Sequence, residues 1–359
     1  MQQVLYTFED HLTGSMGTAF VSEQDNLKPA TKMLQMLNGL LVTQLISVAA
    51  TLGIADLLKD GPKSSDELAR LVEAHPRALY RVLRTLASIG VFAEDEKGRF
   101  ELTPLAALLQ EDAPGSLRAY AMMRGETWYW QPFGELLHSV RTGQTAFAHV
   151  HGMGHFDYFD QNAEAAVLFN EAMTNLTKPH TAAVVAAYDF STITRIVDVG
   201  GGRGALLATI LKAYPHTRGT LFDLPVVIED ARDGSEMEGL ASRCEFVDGD
   251  FFSSVPGGGD AYILKSVIHD WDDDRALTIL RNCRKAMTSE AKLLLIEREV
   301  ASGNEPSPAK LVDITMLTIA GGLERTAVEY EALLTEAGLG LTKIIPTPHK
   351  MIIIEAVSV

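Results

Sequence analysis

The segment Tyr262–Arg275, which reads YILKSVIHDWDDDR, places a histidine between an apolar, strand-like run and several acidic residues. An imidazole changes its charge near neutral pH, so His269 has the right side chain for a general base. The acids Asp272, Asp273 and Asp274 could contribute to a metal site. We favour a capping role for them, because a helical pattern follows and carboxylates stabilise the N-terminus of a helix. The alternatives are a histidine buried in the core and a metal-dependent reaction.

A glycine turn lies upstream in the run RIVDVGGGRGALLATIL, which reads as a strand, a turn and a helix. Gly200 and Gly202 allow the backbone to approach a ligand closely. Asp198, just before the glycines, can receive an ammonium group and would repel a pyrophosphate. Asp223, at the end of the next apolar run, is placed for the hydroxyl groups of a ribose. Together these residues predict a nucleoside site.

The third apolar run ends in DGDFF and supplies further contacts of this predicted site. Asp250 could accept a hydrogen bond from an adenine amino group, and Phe251 could pack on the ring. A nucleoside that carries an amino acid and no phosphate fits these groups, and S-adenosylmethionine is such a ligand. A dinucleotide site is the alternative, because the glycines with Ala205 also satisfy the GxGxxA pattern. A kinase-type phosphate loop is excluded, because no Gly-Lys-Ser/Thr sequence follows.

The elements that must position these residues form an alternating pattern. From Arg195 onward, short apolar runs alternate with helical patterns, which predicts a parallel sheet with helices on both faces. The last two runs, LGLTKIIPT and HKMIIIEAVSV, are joined by a turn too short for a parallel crossover, so they must pair antiparallel. We therefore predict an α/β fold with a mostly parallel sheet and an antiparallel last strand.

The N-terminal part of the chain contains helical patterns and one hairpin, in the order typical of a winged-helix module. A DNA-binding function is disfavoured, because Glu94, Asp95 and Glu96 at the hairpin tip would repel phosphates and the formal net charge is −16. A dimerisation module is the better interpretation. The predicted regions are a helical winged-helix-like dimerisation domain (1–112), a helical connector that contributes to the substrate pocket (113–190) and the ligand-binding α/β domain (191–359).

An uncharged segment between Lys32 and Asp56 is long enough to cross a bilayer. Polar residues interrupt it and no basic flank orients it, so we predict a helix that is buried against a second copy of the chain. The first residues lack the pattern of a signal peptide, and Cys244 and Cys283 form neither a CxxC motif nor a disulfide framework. These features predict a cytoplasmic homodimer without a membrane or nucleic-acid partner.

Five motifs occur in the order DVGGGRG, FDLP, GDFF, LKSVIHDW and GGLERT. Together they resemble the small-molecule O-methyltransferase family, which includes plant phenolic enzymes, hydroxyindole O-methyltransferase and bacterial antibiotic-tailoring enzymes. The resemblance covers nearly the whole chain. It implies a Rossmann-like class I methyltransferase domain behind a winged-helix-like dimerisation domain, with S-adenosylmethionine as the cofactor and no metal.

The resemblance also implies roles for individual residues. His269 falls at the position of the family's catalytic base, with Asp270 beside it. Glu297 and Glu324 fall on the two carboxylates that flank this base, and either could orient the ring. Together with the reasoning from the residues themselves, the predicted cofactor-binding set is Asp198, Gly200, Gly202, Asp223, Leu224, Asp250, Phe251 and Lys265.

The predicted substrate pocket draws on two segments. Phe169 and Met173 match pocket-wall positions of the family. Trp128 belongs to three consecutive aromatic residues, whose side chains cannot all point into one core, so it could line a cleft. Met316 and Ile319 belong to the segment MLTIA. The hydrophobic Ile319 lies near the position where plant enzymes of the family carry a polar contact. This difference leaves the acceptor undetermined.

The predicted reaction is methylation of a hydroxyl on a small aromatic, phenolic or polyketide-like metabolite, as in secondary metabolism and antibiotic biosynthesis. Three alternatives stay open at this point. The acceptor atom could be nitrogen or carbon, the cofactor could serve a reaction other than methyl transfer, and the chain could be a DNA-binding regulator with an inert cofactor domain.

Overall fold

The computed structural model describes residues 28–348 and 350–359. The helices are α1 (Pro29–Leu37), α2 (Gly39–Thr51), α3 (Ile54–Leu57), α4 (Ser65–Leu71), α5 (Pro76–Ser88), α6 (Pro104–Ala107), α7 (Arg118–Gly125), α8 (Thr127–Gly134), α9 (Leu136–Thr142), α10 (Ala146–His151), α11 (His155–Gln161), α12 (Ala163–Ala187), α13 (Ala205–Ala213), α14 (Pro225–Asp233), α15 (Asp273–Ala286), α16 (Pro308–Thr315) and α17 (Ala327–Glu336). The strands are β1 (Lys63–Ser64), β2 (Phe92–Glu94), β3 (Arg99–Leu102), β4 (Arg195–Val199), β5 (Arg218–Asp223), β6 (Cys244–Asp248), β7 (Ala261–Lys265), β8 (Lys292–Arg298), β9 (Leu339–Pro346) and β10 (Met351–Ser358).

The chain divides into two compact units. The described residues up to Gln131 and the segment Phe156–Thr177 form the first unit, and Pro132–His155 and Lys178–Val359 form the second. The predicted connector, residues 113–190, therefore contributes residues to both units. Its boundaries, like those of the two regions that flank it, stay a prediction.

In the first unit, two helices and a hairpin form the predicted winged-helix-like module. Ser64 begins α4 through a capping box with Glu67, in which each side chain binds the other residue's backbone N–H. Pro76 opens α5, where its missing N–H is not needed. The strands β2 and β3 pair antiparallel, and β1 extends the sheet in the order β1-β3-β2. Leu83 and Phe100 are fully buried in the core behind this sheet.

The helices α1 and α2 expose an apolar surface in the single chain. Met36, Leu37 and Leu41 have exposed fractions of 62%, 66% and 59%. Within the described part of the chain, Pro29–Thr51 is the one segment long and apolar enough to cross a membrane, judged by length and composition alone. A contiguous apolar surface of this kind also fits a protein interface, in line with the helix predicted to be buried against a second copy of the chain.

The second unit is built around a seven-stranded sheet with the order β6-β5-β4-β7-β8-β10-β9. The neighbouring strands from β6 to β8 are parallel. The last strand, β10, is antiparallel to both β8 and β9. The predicted α/β fold with an antiparallel last strand is confirmed.

Helices cover both faces of this sheet. Val197 and Leu264 point to the face that packs on α15 and α17, whereas Ile196 and Ile263 point to the face that packs on α13 and α14. This division follows from the alternation of side chains along a strand. The carboxyl ends of β4, β5 and β7 meet at one edge, which is the edge where open α/β sheets bind ligands.

Candidate active site

His269 lies in the turn that follows β7. The strand ends at Lys265, and Ser266 then adopts a left-handed backbone conformation with a φ of 53°. This conformation is uncommon for a residue with a side chain, and it directs the chain into the 3-10 turn Ile268–Asp270. His269 is buried, with an exposed fraction of 8%. Sparsely populated backbone conformations of this kind cluster at functional sites.

Glu324 holds one ring nitrogen of His269. Its Oε1 lies 2.8 Å from Nδ1 of the ring, and Glu324 itself is buried. The backbone N–H of Glu324 donates to the carboxylate of Asp313 on α16 at 2.9 Å, which fixes the loop that carries the carboxylate. The second ring nitrogen, Nε2, lies 3.5 Å from the carboxylate of Asp270. Because Glu324 occupies Nδ1, Nε2 is the nitrogen that could exchange a proton with a ligand.

Glu297, at the end of β8, binds the backbone of the same turn. Its Oε1 accepts hydrogen bonds from the N–H groups of Val267 at 3.1 Å and Ile268 at 2.9 Å. The sequence left open whether Glu297 or Glu324 orients the histidine. In the structure, Glu324 contacts the ring and Glu297 anchors the backbone that precedes it.

The carboxylates around His269 favour its charged form. Burial alone lowers the pKa of an imidazole, but Asp270, Glu297 and Glu324 outweigh burial and raise the pKa of His269 above its usual value. Burial also raises the pKa of Glu297 to about 7, although the positive charge of His269 opposes that shift. A proton taken up by His269 is therefore stabilised by its surroundings.

His269, Glu297 and Glu324 also have the composition of a metal-binding group, and one ligand atom from each lies within 4.8 Å of the others. However, Nδ1 of the ring and one oxygen of each carboxylate already bind protein groups. The guanidinium of Arg298 also lies 4.0 Å from Glu324. A neighbouring positive charge weakens the attraction for a metal ion, so we retain the interpretation as a general-base site.

The acidic run after His269 serves two purposes. The side chain of Asp272 accepts a hydrogen bond from the backbone N–H of Arg275 at 2.9 Å and so caps α15, as predicted. The carboxylate of Asp273 instead lies 2.7 Å from the guanidinium of Arg325. This second contact was not predicted from the sequence.

Gly322 lets the loop formed by the GGLERT motif approach the backbone of His269. A Cβ atom at Gly322 would lie 2.0 Å from the carbonyl oxygen of His269 and 2.4 Å from the carbonyl carbon of Asp270. From the sequence, this motif predicts a role for Glu324 and none for Gly322 or Arg325. The paired glycines were the available signal, because glycine often marks a close approach of two backbones.

The glycine turn after β4 lies beside the histidine turn. The N–H of Gly202 donates to the carboxylate of Asp223 at 2.8 Å, which ties the turn to the end of β5. Gly200 and Gly202 have φ values of 67° and 58°, which glycine adopts without strain. A Cβ atom on Gly200 would lie 2.9 Å from the side chain of Val267. The structure therefore brings the glycine turn, Asp223 and the turn that carries His269 together at one edge of the sheet.

Asp198 offers a buried carboxylate with an unused oxygen at this edge. It is 2% exposed, and its Oδ2 has no hydrogen-bond partner within the residues that the structure describes. Burial raises the pKa of Asp198 to about 7, and the positive charge of Lys265 opposes this shift. Burial lowers the pKa of Lys265. A buried polar atom normally has a partner, so the free oxygen of Asp198 fits an ammonium group of a ligand.

The remaining residues of the predicted cofactor set follow β5 and β6. Asp250 is exposed, and its Oδ1 accepts a hydrogen bond from the N–H of Phe252 at 2.8 Å. Phe251 packs edge-on against Phe252 and Trp271, with ring centroids 4.9 and 6.1 Å apart. Leu224 is exposed at the start of α14, directly after Asp223. These positions are compatible with contacts to a bound nucleoside.

Three of the predicted pocket residues lie in the first unit. Trp128 and Phe169 both pack against Phe159, with ring centroids 5.4 and 4.7 Å from it. Met173 is partly buried on α12. Trp128 and Phe169 thus belong to one aromatic cluster, and their contact with a substrate stays a prediction.

The other two pocket residues lie in the second unit. Met316 and Ile319 form part of the π-helical segment Met316–Ala320, which directly precedes the GGLERT motif. Ile319 is buried and Met316 is partly buried. Short π-helical segments are frequent at functional sites. A role of these residues in binding the acceptor stays a prediction.

Comparison with known protein families gives two matches. The O-methyltransferase domain matches residues 133–340, and the O-methyltransferase dimerisation domain matches residues 34–112. The phenazine O-methyltransferase PhzM of Lysobacter antibioticus is 47% identical, over 90% of this chain and 95% of the relative. The mitomycin biosynthesis 6-O-methyltransferase of Streptomyces lavendulae is 39% identical, over 87% of this chain and 89% of the relative.

Solved structures give the same result. The crystal structure of LaPhzM has a TM-score of 0.88 and 45% sequence identity, and the match covers 93% of this chain and 100% of that one. NcsB1 in complex with S-adenosylmethionine and 2-hydroxy-5-methyl naphthoic acid has a TM-score of 0.78 and 32% identity, over 89% of this chain and 96% of that one.

The chain belongs to the O-methyltransferase family. It is an S-adenosylmethionine-dependent O-methyltransferase with a class I methyltransferase fold and an N-terminal dimerisation domain. The predictions of family, fold class and cofactor are confirmed, and the dimerisation domain supports the predicted homodimer.

Proposed function

We propose that this enzyme methylates a hydroxyl group of a small aromatic metabolite and that His269 is its general base. The contact of 2.8 Å between Nδ1 of His269 and Glu324 carries this proposal. It fixes the ring orientation and leaves Nε2 to accept the proton of the acceptor. In this proposal Asp270, next to Nε2, helps to stabilise the protonated ring, and Glu297 keeps the turn in place.

The chemistry of a phenol explains the need for a base. A phenol has a pKa near 10 and is mostly protonated at neutral pH, which makes it a weak nucleophile. S-adenosylmethionine, when bound, supplies a methyl group on a positively charged sulfur. His269 would remove the phenol proton as the new bond to oxygen forms, which is worth about 10²–10⁴ in rate. Orientation of the two reactants can supply about 7–11 kcal/mol, so positioning accounts for the larger part of the rate enhancement.

Replacing Glu324 by glutamine should shift the pH dependence of the reaction. The substitution removes a negative charge that raises the pKa of His269, so this pKa falls. A general base must be deprotonated to act, so the acidic limb of the kcat/KM profile should move to lower pH, by about 1 unit or more. Initial rates between pH 6 and 10 would measure the shift. The exposed Glu290→Gln variant is a control with an unchanged profile, and an unshifted limb in E324Q would contradict the assignment.

For the cofactor, we propose that the free oxygen of Asp198 receives the ammonium group, with Lys265 nearby. Asp223 would bind the ribose, and Asp250 and Phe251 would bind the adenine. Gly200, Gly202 and Leu224 would provide close backbone and side-chain contacts. The support is the position of these residues near the carboxyl ends of four neighbouring strands, β6, β5, β4 and β7.

Affinity for S-adenosylmethionine should rise about tenfold between pH 5.5 and 7.5, because Asp198, with a pKa of about 7, becomes charged over this range. In Asp198→Asn the affinity should fall and its pH dependence should disappear. Calorimetric titration would measure both effects. Methylthioadenosine has the same nucleoside without the ammonium group, so its affinity should not depend on Asp198. Equal losses for both ligands would indicate a general defect of the site.

The acceptor class rests on the relatives and on the residues near the base. The relatives are named for phenazine and mitomycin methylation, and NcsB1 was crystallised with a naphthoic acid. We propose an aromatic or polyketide-like hydroxyl as the acceptor in antibiotic-type secondary metabolism. Met316 and Ile319 would contact it, and Trp128, Phe169 and Met173 are the further candidates from the sequence.

We also infer that the enzyme is cytoplasmic and has neither a nucleic-acid nor a membrane partner. The acidic tip of the hairpin supports the absence of a nucleic-acid partner. Glu94 is exposed there, and the positive charge of Arg99 is balanced by an ion pair with Asp95, so the tip carries no excess of positive charge. The match of residues 34–112 to a dimerisation domain supports a protein partner for the apolar surface of α1 and α2.

A panel of phenols, naphthols, phenazinols and matched amines, incubated with labelled S-adenosylmethionine, would test the proposed function. We expect products heavier by one methylene unit for hydroxylated aromatics, with an O-methyl signal in their NMR spectra. Activity should persist in the presence of a chelator. Products methylated on nitrogen or carbon, or turnover that a chelator abolishes, would contradict the proposal.

A further inference from the structure

Arg325, the arginine of the GGLERT motif, is fully buried, which is unusual for this residue type. Its guanidinium binds backbone oxygens on both sides of His269. Nη1 donates to the carbonyl of Ile268 at 3.2 Å, and Nη2 donates to the carbonyl of Trp271 at 3.0 Å. Nη1 also lies 3.4 Å from the carbonyl of Leu323, within its own loop.

The same guanidinium reaches the start of α15. Nε and Nη2 of Arg325 donate to Oδ1 of Asp273 at 3.0 and 2.7 Å. Asp273 follows the helix cap, and its side chain is 68% exposed whereas that of Arg325 is 1% exposed. One side chain therefore connects three elements: the histidine turn, the GGLERT loop and the N-terminus of α15.

Arg325 directly follows Glu324, the residue that binds the imidazole. Any movement of the loop relative to the turn would change the distance between Glu324 and Nδ1 of His269. The contacts of Arg325 oppose such movement, because they join the loop to the carbonyl of Ile268, directly before the histidine, and to the carbonyl of Trp271, two positions after it. Its donors are directed at backbone and at Asp273, so Arg325 has no geometry for direct contact with a substrate.

We propose that Arg325 and Asp273 form a clamp that positions His269 against Glu324, and that Arg325 is a positioning residue for the reaction. This proposal rests on the proposed function of His269 as the base. It also explains the acids that follow the histidine. Asp272 caps the helix, Asp273 holds Arg325, and the carboxylate of Asp274 makes no hydrogen bond or ion pair within the described residues.

The first test weakens the clamp from its exposed end. Asp273→Asn should fold normally, because its side chain is largely in solvent. We expect kcat to fall roughly three- to tenfold, because misplaced groups lose rate steeply with distance. The acidic limb of the kcat/KM profile should move to lower pH, because a displaced Glu324 no longer raises the pKa of His269 as strongly. The neighbouring Asp274→Asn variant is the matched control, with unchanged kcat and profile.

The second test keeps the positive charge at position 325 and removes the planar guanidinium group. Arg325→Lys retains a cation, but an ammonium group cannot bind two carbonyls and Asp273 in one plane. We expect kcat to fall about 10²-fold while the affinity for S-adenosylhomocysteine stays within twofold. Full activity in R325K would overturn the clamp and would assign a purely electrostatic role. Exposed Arg281→Lys serves as the control for the substitution itself. If R325K does not fold, D273N alone decides.

His269→Ala separates this proposal from the one on which it rests. If H269A loses activity while D273N and R325K keep wild-type kcat and pH profiles, the clamp is wrong and the base assignment stands. If H269A retains activity, His269 is not the base, and the proposed clamp is then wrong as well. If H269A, D273N and R325K lose activity in the expected order, with the shifted pH limb in D273N, the clamp is supported.

Discussion

Replacing His269 by alanine is expected to lower kcat by about 10²–10⁴ while S-adenosylmethionine still binds. The substitution removes the nitrogen that would accept the phenol proton, and the proton would then have to leave to water. Most groups assigned to the cofactor lie on other elements, at the glycine turn and after β5 and β6, and Lys265 lies at the end of β7, before the turn that carries His269. Binding of the methyl donor should therefore remain within about threefold of the wild-type value.

Single-turnover rates with a phenolic acceptor and calorimetric titration of the donor would measure these two effects separately. His216→Ala is a suitable control, because His216 is exposed in the loop before β5, away from the carboxyl ends of the strands. A near-wild-type single-turnover rate in H269A would show that the buried ring has only a structural role. A parallel loss of donor affinity would mean that the turn after β7 supports the cofactor site as well.

The sequence allowed the fold of the second unit to be predicted because its signals are local. Alternating apolar runs specify strands, and the short connection before the last strand at Met351 requires antiparallel pairing. The cap at Asp272 was predictable for the same reason, since a cap and its helix are adjacent in the chain. The residues proposed to bind the cofactor lie near the ends of β4, β5, β6 and β7, as expected because parallel strands end at a common edge.

The sequence did not reveal which of Glu297 and Glu324 contacts the ring of His269 and which one binds the backbone of its turn. Both are buried glutamates near the histidine, and only the three-dimensional path of the loop decides which one meets the ring. The contacts of Arg325 depend on the same path, because Asp273 lies 52 positions away in the chain. Contacts between residues this far apart in the chain follow no periodic pattern or fixed spacing, so the sequence alone does not reveal them.

The second large effect is expected for Gly322→Ala. The added Cβ atom would lie 2.0 Å from the carbonyl oxygen of His269 and 2.7 Å from Cα of Asp270. Both neighbours are backbone atoms and cannot rotate away, so the loop and the histidine turn must separate. Glu324 and Arg325 move with the loop. A separation of about 1 Å should reduce kcat by about 10²-fold, and overpacking should cost about 1–3 kcal/mol of stability.

Thermal unfolding, kcat and donor affinity would be compared between G322A and Gly134→Ala. Both glycines lie outside the left-handed region, but a Cβ atom on Gly134 would meet nothing within 4 Å, so alanine should be neutral or slightly stabilising there. A G322A variant that keeps its fold and its donor affinity but loses turnover would show that the GGLERT loop acts through its distance from the base. Wild-type turnover in G322A would mean that Glu324 can follow the ring when the backbone moves, and the fixed geometry inferred for the pair would then be wrong.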